Sequence, residues 1–321
     1  MLDEVAEWLR HRSWAAADRS LPELLAAKRA SGSSVSVVLP ALDEESTVGG
    51  IVSAIRRDLM DRTPLVDELL VVDSGSSDGT ARVAAEAGAT VVHRDAILPE
   101  LPALPGKGEV LWRSLLATRG DIVCFIDADL REFDSAFVSG IVGPLLTEPG
   151  VAFVKAMYDR PLETGTATIP AGGGRVTELV ARPLLNLHWP LLAGFVQPLG
   201  GEYAARRSLL ERLPFPTGYG VELGLLVDAL ELAGLDALAQ VDVGVRHHRH
   251  QDALALGRMA ATIHLTALDR LARANRIKAS DDLVTPRLTQ FTRTAAGFTP
   301  STVDIPVTER PPIVTLTTED V

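Results

Sequence analysis

Along residues 35–126, short apolar runs alternate with stretches whose apolar positions repeat every three or four residues. Val35-Ser36-Val37-Val38-Leu39, Leu69-Leu70-Val71-Val72, Val91-Val92 and Ile122-Val123-Cys124-Phe125-Ile126 are short and rich in β-branched residues, so they read as strands. Val48, Ile51, Val52, Ile55 and Leu59 share one helical face after the first, and an alanine-rich helix follows the second. Val110, Leu111 and Leu115 mark a helix ahead of the fourth. This alternation predicts an α/β fold with a doubly wound, mostly parallel sheet and right-handed crossovers. Leu21, Leu24 and Leu25 give a packing stripe within residues 1–34, which read as short amphipathic helices.

Beyond residue 150 the pattern changes. Phe153-Val154-Lys155-Ala156-Met157 reads as a strand, and residues 163–174 as a loop ending in Gly172-Gly173-Gly174. Gln197-Pro198-Leu199-Gly200-Gly201 is a turn entering a strand, and Gly218-Tyr219-Gly220-Val221-Glu222 opens an apolar helix. Leu238–Val245 reads as a further strand and Leu254–Ala274 as a long helix. From Arg276 onward, Pro286, Pro300, Pro306, Pro311 and Pro312 predict an irregular tail over 276–321.

Candidate chemistry gathers at strand ends and helix starts. Asp127-Ala128-Asp129 follows the fourth strand, where open α/β sheets bind ligands. Two carboxylates there suit a hard cation such as Mg²⁺ or Mn²⁺, although a polar strand end with a helix cap has the same composition. Lys107, between two glycines at a helix start, is placed to meet an anion; a solvated lysine is the plain alternative. Asp43-Glu44-Glu45 reads as a ligand-embracing loop or simply as carboxylates favoured by a helix N-terminus. Asp73 is placed to accept from a ribose hydroxyl or to close an ordinary turn. Arg175 and Thr177, after three glycines, suit a phosphate or carboxylate. Among His247, His248 and His250, one can complete a metal site with the Asp-x-Asp, or all three belong to a solvated basic patch.

Composition narrows the field. Apolar residues make up 46% of the 321, enough for a sizeable core. A net charge of −11 argues against nucleic acid as partner, so any phosphate site needs local cations. The single cysteine, Cys124, lies inside an apolar strand and fits a reducing compartment. No run reaches membrane-spanning length, and the acidic start is unlike a signal peptide, so a cytoplasmic protein without a membrane anchor is expected.

Taken together, the chain resembles the actinobacterial glucosyl-3-phosphoglycerate synthases, retaining glycosyltransferases of the GT-A fold. The resemblance covers roughly residues 35–250. It rests on Val38-Leu39-Pro40-Ala41-Leu42-Asp43-Glu44-Glu45, Asp73-Ser74-Gly75-Ser76, Pro105-Gly106-Lys107-Gly108-Glu109, Asp127-Ala128-Asp129, Gly172-Gly173-Gly174-Arg175-Val176-Thr177-Glu178 and Tyr219-Gly220-Val221-Glu222. It implies glucose transfer from UDP-glucose to 3-phosphoglycerate with Mg²⁺ or Mn²⁺, in a homodimer. Residues 35–150 become the nucleotide-sugar half and 151–275 the acceptor half. Pro40, Ala41, Leu42, Glu44, Ser74, Lys107, Asp127, Ala128, Leu199 and Glu222 are then expected to bind the donor. Gly174, Arg175 and Thr177 are expected to bind the acceptor, and Asp129 and His248 the metal. Glu222, Asp127 and Lys107 carry the expected catalytic roles. The family usually has Asp-Ser-Asp where Ala128 stands here. A GT-A transferase with another donor or acceptor, such as GDP-mannose, and a catalytically silent sugar-nucleotide-binding protein are the competing readings.

Overall fold

In the computed structural model, residues 1–164, 167–169, 173–246, 252–278, 285–295 and 297–316 are described. Among them, eight strands form one central sheet. In chain order these are β1 (Ser13–Ala15), β2 (Val35–Ala41), β3 (Glu68–Asp73), β4 (Thr90–His93), β5 (Ile122–Phe125), β6 (Phe153–Asp159), β7 (Tyr203–Arg206) and β8 (Leu238–Val245). Their spatial order is β1-β8-β6-β7-β5-β2-β3-β4. Neighbours pair parallel except at β7, which runs antiparallel to both β5 and β6. The four strands expected within residues 35–126 all form: β2, β3 and β5 are apolar and largely buried on both faces, whereas β4 sits at the sheet edge and is only half-buried.

Helices cover both faces. Leu111, Trp112, Phe125 and Tyr203 belong to one apolar cluster, and Leu39, Ile51, Val71 and Phe137 to the other. Cys124 is fully buried, and burial pushes its thiol far above the ordinary range. The helices expected at the N-terminus span Asp3–His11 and Leu21–Ser31, the second starting with a Ser20/Glu23 capping box. Between them β1, absent from the sequence reading, joins the sheet edge beside β8. Trp8 fixes this segment: its indole donates to the Leu238 carbonyl at 2.8 Å and its ring packs 4.7 Å from Phe195.

Two expectations need revision. The loop at 163–174 contains part of a short hairpin, Leu162–Thr164 with Ala167–Ile169. The expected irregular tail instead forms a hairpin, Arg287–Thr294 with Gly297–Asp304, and a strand pair, Glu309–Arg310 with Phe215–Pro216. The prolines misled because Pro300 lies on a two-stranded ribbon, where each strand has a free edge and a missing N–H costs little. The long helix spans Ala253–Arg273 and packs against the helix Val221–Ala233.

Candidate active site

The carboxyl ends of β2, β3 and β5 open onto a cleft of about 610 Å³. Pro40, Ala41, Leu42, Glu44, Ser74, Lys107, Asp127, Ala128, Leu199 and Glu222 all line it. So do Asp129, Gly174, Arg175 and Thr177. Residues from both halves of the chain therefore share one cavity. His248 lies outside the described residues, as do His247 and His250.

The buried part of the cleft is a network of ion pairs. β5 ends at Phe125, and its continuation carries Asp127 and Asp129 two residues apart. The Lys107 ammonium bonds Asp127 Oδ1 and lies 2.9 Å from Glu222 Oε1. Arg246, one residue past β8, donates from Nη2 to Asp127 Oδ2 at 2.8 Å and to Asp129 Oδ1 at 3.2 Å. Its Nε donates to Glu202 Oε1 at 2.8 Å, and the Tyr158 hydroxyl donates to Glu202 Oε2 at 2.8 Å. The backbone must pass unusually close: a Cβ on Gly201 would overlap the Asp127 carboxylate and the Lys107 ammonium. Glycine at that turn is what lets two charged side chains meet beneath it.

Electrostatics separates the two aspartates. Burial pushes Asp127 up, but Lys107 and Arg246 outweigh it and hold the carboxyl well below its usual range. Burial raises Asp129, opposed by Arg246 and reinforced by the Asp127 charge. Lys107 is lowered by burial and raised further by Asp127 and Glu222, so it stays charged far above the ordinary lysine range. In a chain of net charge −11, Arg94, Lys107, Arg160, Arg175 and Arg246 all line this cleft. These are the local cations that an acidic phosphate-binding protein requires.

The loop after β2 resolves its acidic cluster. Asp43 accepts from the Ser77 N–H at 2.8 Å and Glu45 from the Gly79 N–H at 2.9 Å. Both carboxylates thus hold the turn after β3, while Glu44 lines the cleft. Asp73 is likewise spent on its own turn, accepting from the Ser76 hydroxyl at 2.5 Å and its N–H at 3.2 Å. Ser74, the next residue, lines the cavity.

At the exposed part, Gly174 adopts φ +72°, a left-handed conformation suited to glycine, and delivers Arg175 to the cleft. Thr177, nearly fully buried, begins a π-helical turn Thr177–Ala181 that runs into the helix Arg182–His188. Pro183 at the start of that helix has no N–H to continue a regular ladder, which accounts for the wider turn.

A divalent cation fits the donor set. Asp127 and Asp129 present hard carboxylate oxygens in a phosphate-sized cleft, and Mg²⁺ typically takes one or two carboxylates with water and substrate phosphates for the rest. Among the described residues no cluster of three metal-ligating side chains occurs. Sequence reading missed Arg246, Glu202, Tyr158 and Arg94 as parts of the site. Arg246 was legible by the rule that flagged Asp127, since it too stands just past a strand's carboxyl end.

The model of glycosyl transferase family 2 matches residues 36–171. The glucosyl-3-phosphoglycerate synthase of Mycolicibacterium smegmatis is 50% identical over 309 residues, covering 96% of this chain and 98% of that protein. The chain belongs to the glucosyl-3-phosphoglycerate synthase family. Among solved structures, mannosyl-3-phosphoglycerate synthase from Rubrobacter xylanophilus is 42% identical, covers 98% of each chain and superposes with a TM-score of 0.89. Glucosyl-3-phosphoglycerate synthase from Mycobacterium tuberculosis, in complex with Mn²⁺, UDP and phosphoglyceric acid, is 48% identical, covers 92% of this chain and 94% of that one, and gives a TM-score of 0.81. This family member is thus a glycosyltransferase with the expected GT-A architecture. No helix among its described residues is long and apolar enough to cross a membrane.

Proposed function

We propose that this glycosyltransferase moves glucose from UDP-glucose to the hydroxyl of 3-phosphoglycerate, with a divalent cation and with retention. The observation that carries the reading is the Lys107–Asp127–Arg246 network, buried in the same cleft that presents Arg175 and Thr177. A bound cation would offset charge building on the departing diphosphate. Asp129 and His248 would hold it, while Asp127, bonded to Lys107 and Arg246, would face the donor beside it. Lys107 stays protonated and sits where the same diphosphate charge develops, a fixed electrostatic contribution that needs no reorganisation. Glu222 is ion-paired with Lys107, so its role is to orient Lys107 and the sugar hydroxyls. Pro40, Ala41, Leu42, Glu44, Ser74, Ala128 and Leu199 embrace the rest of the donor. Gly174, Arg175 and Thr177 take the acceptor's phosphate or carboxylate.

The experiment is incubation with UDP-glucose, GDP-mannose and other nucleotide sugars against 3-phosphoglycerate and glycerate, with product mass and anomeric configuration measured. A glucosylated 3-phosphoglycerate requiring Mg²⁺ or Mn²⁺ is expected; absence of product from every pair leaves the silent-binding reading. The high structural similarity to a mannosyl-3-phosphoglycerate synthase favours GDP-mannose as the second donor to try. A cytoplasmic homodimer accompanies this reading: Cys124 is the sole cysteine, and the Arg287–Asp304 hairpin exposes Phe291 and Phe298. Light scattering of the purified chain checks the dimer.

A further inference from the structure

Glu309 and Arg310 pair antiparallel with Phe215–Pro216, and successive strand residues point to opposite faces. On one face Arg310 donates from Nε and Nη2 to the two Glu109 oxygens at 2.7 and 2.8 Å, and from Nη2 to the Pro102 carbonyl at 2.6 Å. Glu109, fully buried, also accepts from Arg113 Nε at 2.7 Å. Arg113 in turn holds the carbonyls of Ile97, Leu98 and Leu101 in the loop that leads to Lys107. Burial pushes Glu109 up, but the two guanidiniums outweigh it and keep the carboxylate ionised. On the other face Glu309 meets Arg270 at 2.5 Å and Arg273 at 2.6 Å on the long helix. Arg270 grips Asp228, at 2.6 and 3.2 Å, on the helix that carries Glu222.

Glu109 shares a helix with Lys107, and Asp228 shares one with Glu222. The Gly108 N–H donates to the Thr217 carbonyl at 2.8 Å, and a Cβ on Gly106 or Gly108 would overlap the carbonyl of Thr217 or Pro216. The Thr217 N–H donates to the Thr308 carbonyl at 2.9 Å, and the two threonine hydroxyls stand 2.5 Å apart. Lys107 and Glu222 therefore begin two helices separated by one spacer, Phe215–Thr217, whose far edge is held by Thr308–Arg310.

We propose that Thr308-Glu309-Arg310 is a brace that sets the Lys107–Glu222 spacing, with Arg310 a positioning residue for the donor end of the reaction. This rests on the donor roles given above to Lys107 and Glu222. When Arg310 is replaced by Met, Glu109 keeps Arg113 as partner, so its charge is not stranded while the strand loses its anchor.

The test compares parent, Arg310→Met and Arg310→Lys by turnover and by calorimetric UDP affinity with Mg²⁺. A misplacement of a fraction of an ångström should lower kcat about tenfold in Arg310→Met and weaken UDP several-fold, with KM for 3-phosphoglycerate unchanged. Arg310→Lys restores the charge without the two-pronged geometry, so it should recover activity only in part. A folded Arg310→Met with parental kcat and UDP affinity, and only a lowered melting temperature, overturns the brace. If Arg310→Met does not fold, Thr308→Val decides: it removes the hydroxyl contact, keeps the backbone bond, and should show the same pattern at about two- to threefold, roughly one weak hydrogen bond. Parental values in Thr308→Val also overturn it. A parent that fails to turn over UDP-glucose sinks the donor reading alone, and the UDP affinities of the variants then decide the brace.

Discussion

The two ends of the cleft are built on opposite plans. At the Asp127 end a chain of ion pairs runs through the buried charges: Lys107 between Asp127 and Glu222, Arg246 across Asp127, Asp129 and Glu202. Strand ends deliver Asp127, Asp129 and Arg246, helix starts deliver Lys107 and Glu222, and Glu202 is fully buried. At the Arg175 end a left-handed glycine and a π-helical turn deliver an exposed guanidinium and a buried hydroxyl. The first end has its electrostatics arranged before any ligand arrives, as stabilising a leaving diphosphate demands. The second meets its ligand from solvent. Changes at the first should therefore affect chemistry and stability together, and changes at the second should affect the acceptor alone.

The sharpest way to break this contrast is Asp129→Ala. Turnover with Mg²⁺ should fall at least about a thousandfold, beyond what removing a single oxyanion donor costs, while the circular dichroism spectrum stays parental. Near-normal activity would show that the Asp-x-Asp does not hold the metal. Next, Arg246→Met leaves Glu202 buried and without its cation. Breaking one partner of a buried pair costs roughly 3–5 kcal/mol, read by chemical denaturation. A stability loss below that of Arg175→Ala would erase the distinction between the two ends.

Arg175→Ala should leave folding stability near parental and weaken 3-phosphoglycerate by roughly 10- to 150-fold, the worth of a charged hydrogen bond of about 1.5–3 kcal/mol. UDP affinity should hardly move; a fall in UDP affinity with unchanged acceptor affinity would assign this loop to the donor. The smallest effect concerns Lys155, buried beneath the Asp127 end, with its ammonium donating to the Gly200 carbonyl at 2.7 Å. Burial lowers it to about 8, against 10.5 for an ordinary lysine. Between those values the unfolded chain binds more protons than the folded one, so this group makes stability rise with pH. From pH 8 to 9 the rise should be about 1 kcal/mol. Lys155→Met should lack it, and identical pH profiles for parent and variant would show that Lys155 is not held in this way.

Much of the site was legible because its signals are local. Asp127 and Asp129 follow an apolar strand within a few residues, Lys107 sits between glycines at a helix start, and Arg175 follows a glycine run. Each can be read from its immediate neighbours and a general rule about strand and helix ends. The acidic cluster at 43–45 shows the limit of that approach. Its three carboxylates look alike in sequence, yet Asp43 and Glu45 bond the turn after β3 while Glu44 faces the cleft.

Local patterns in the chain were enough for the strand–helix alternation, the mostly parallel wound sheet, the positions of the motifs and the family. Periodicity and strand-end chemistry act over a few residues, so they survive without coordinates. Which charges neutralise which was settled by the way the chain folds. Arg246 is 119 residues from Asp127 and Arg310 is 201 from Glu109, and no local pattern marks such pairs. They arise because burying a charge is tolerable only beside an opposite one, and which opposite charge lies near is settled by how the sheet and its helices close. The same reason places the C-terminal strand beneath Lys107: its alternating Glu309 and Arg310 could be matched to partners only after the helices around them had packed.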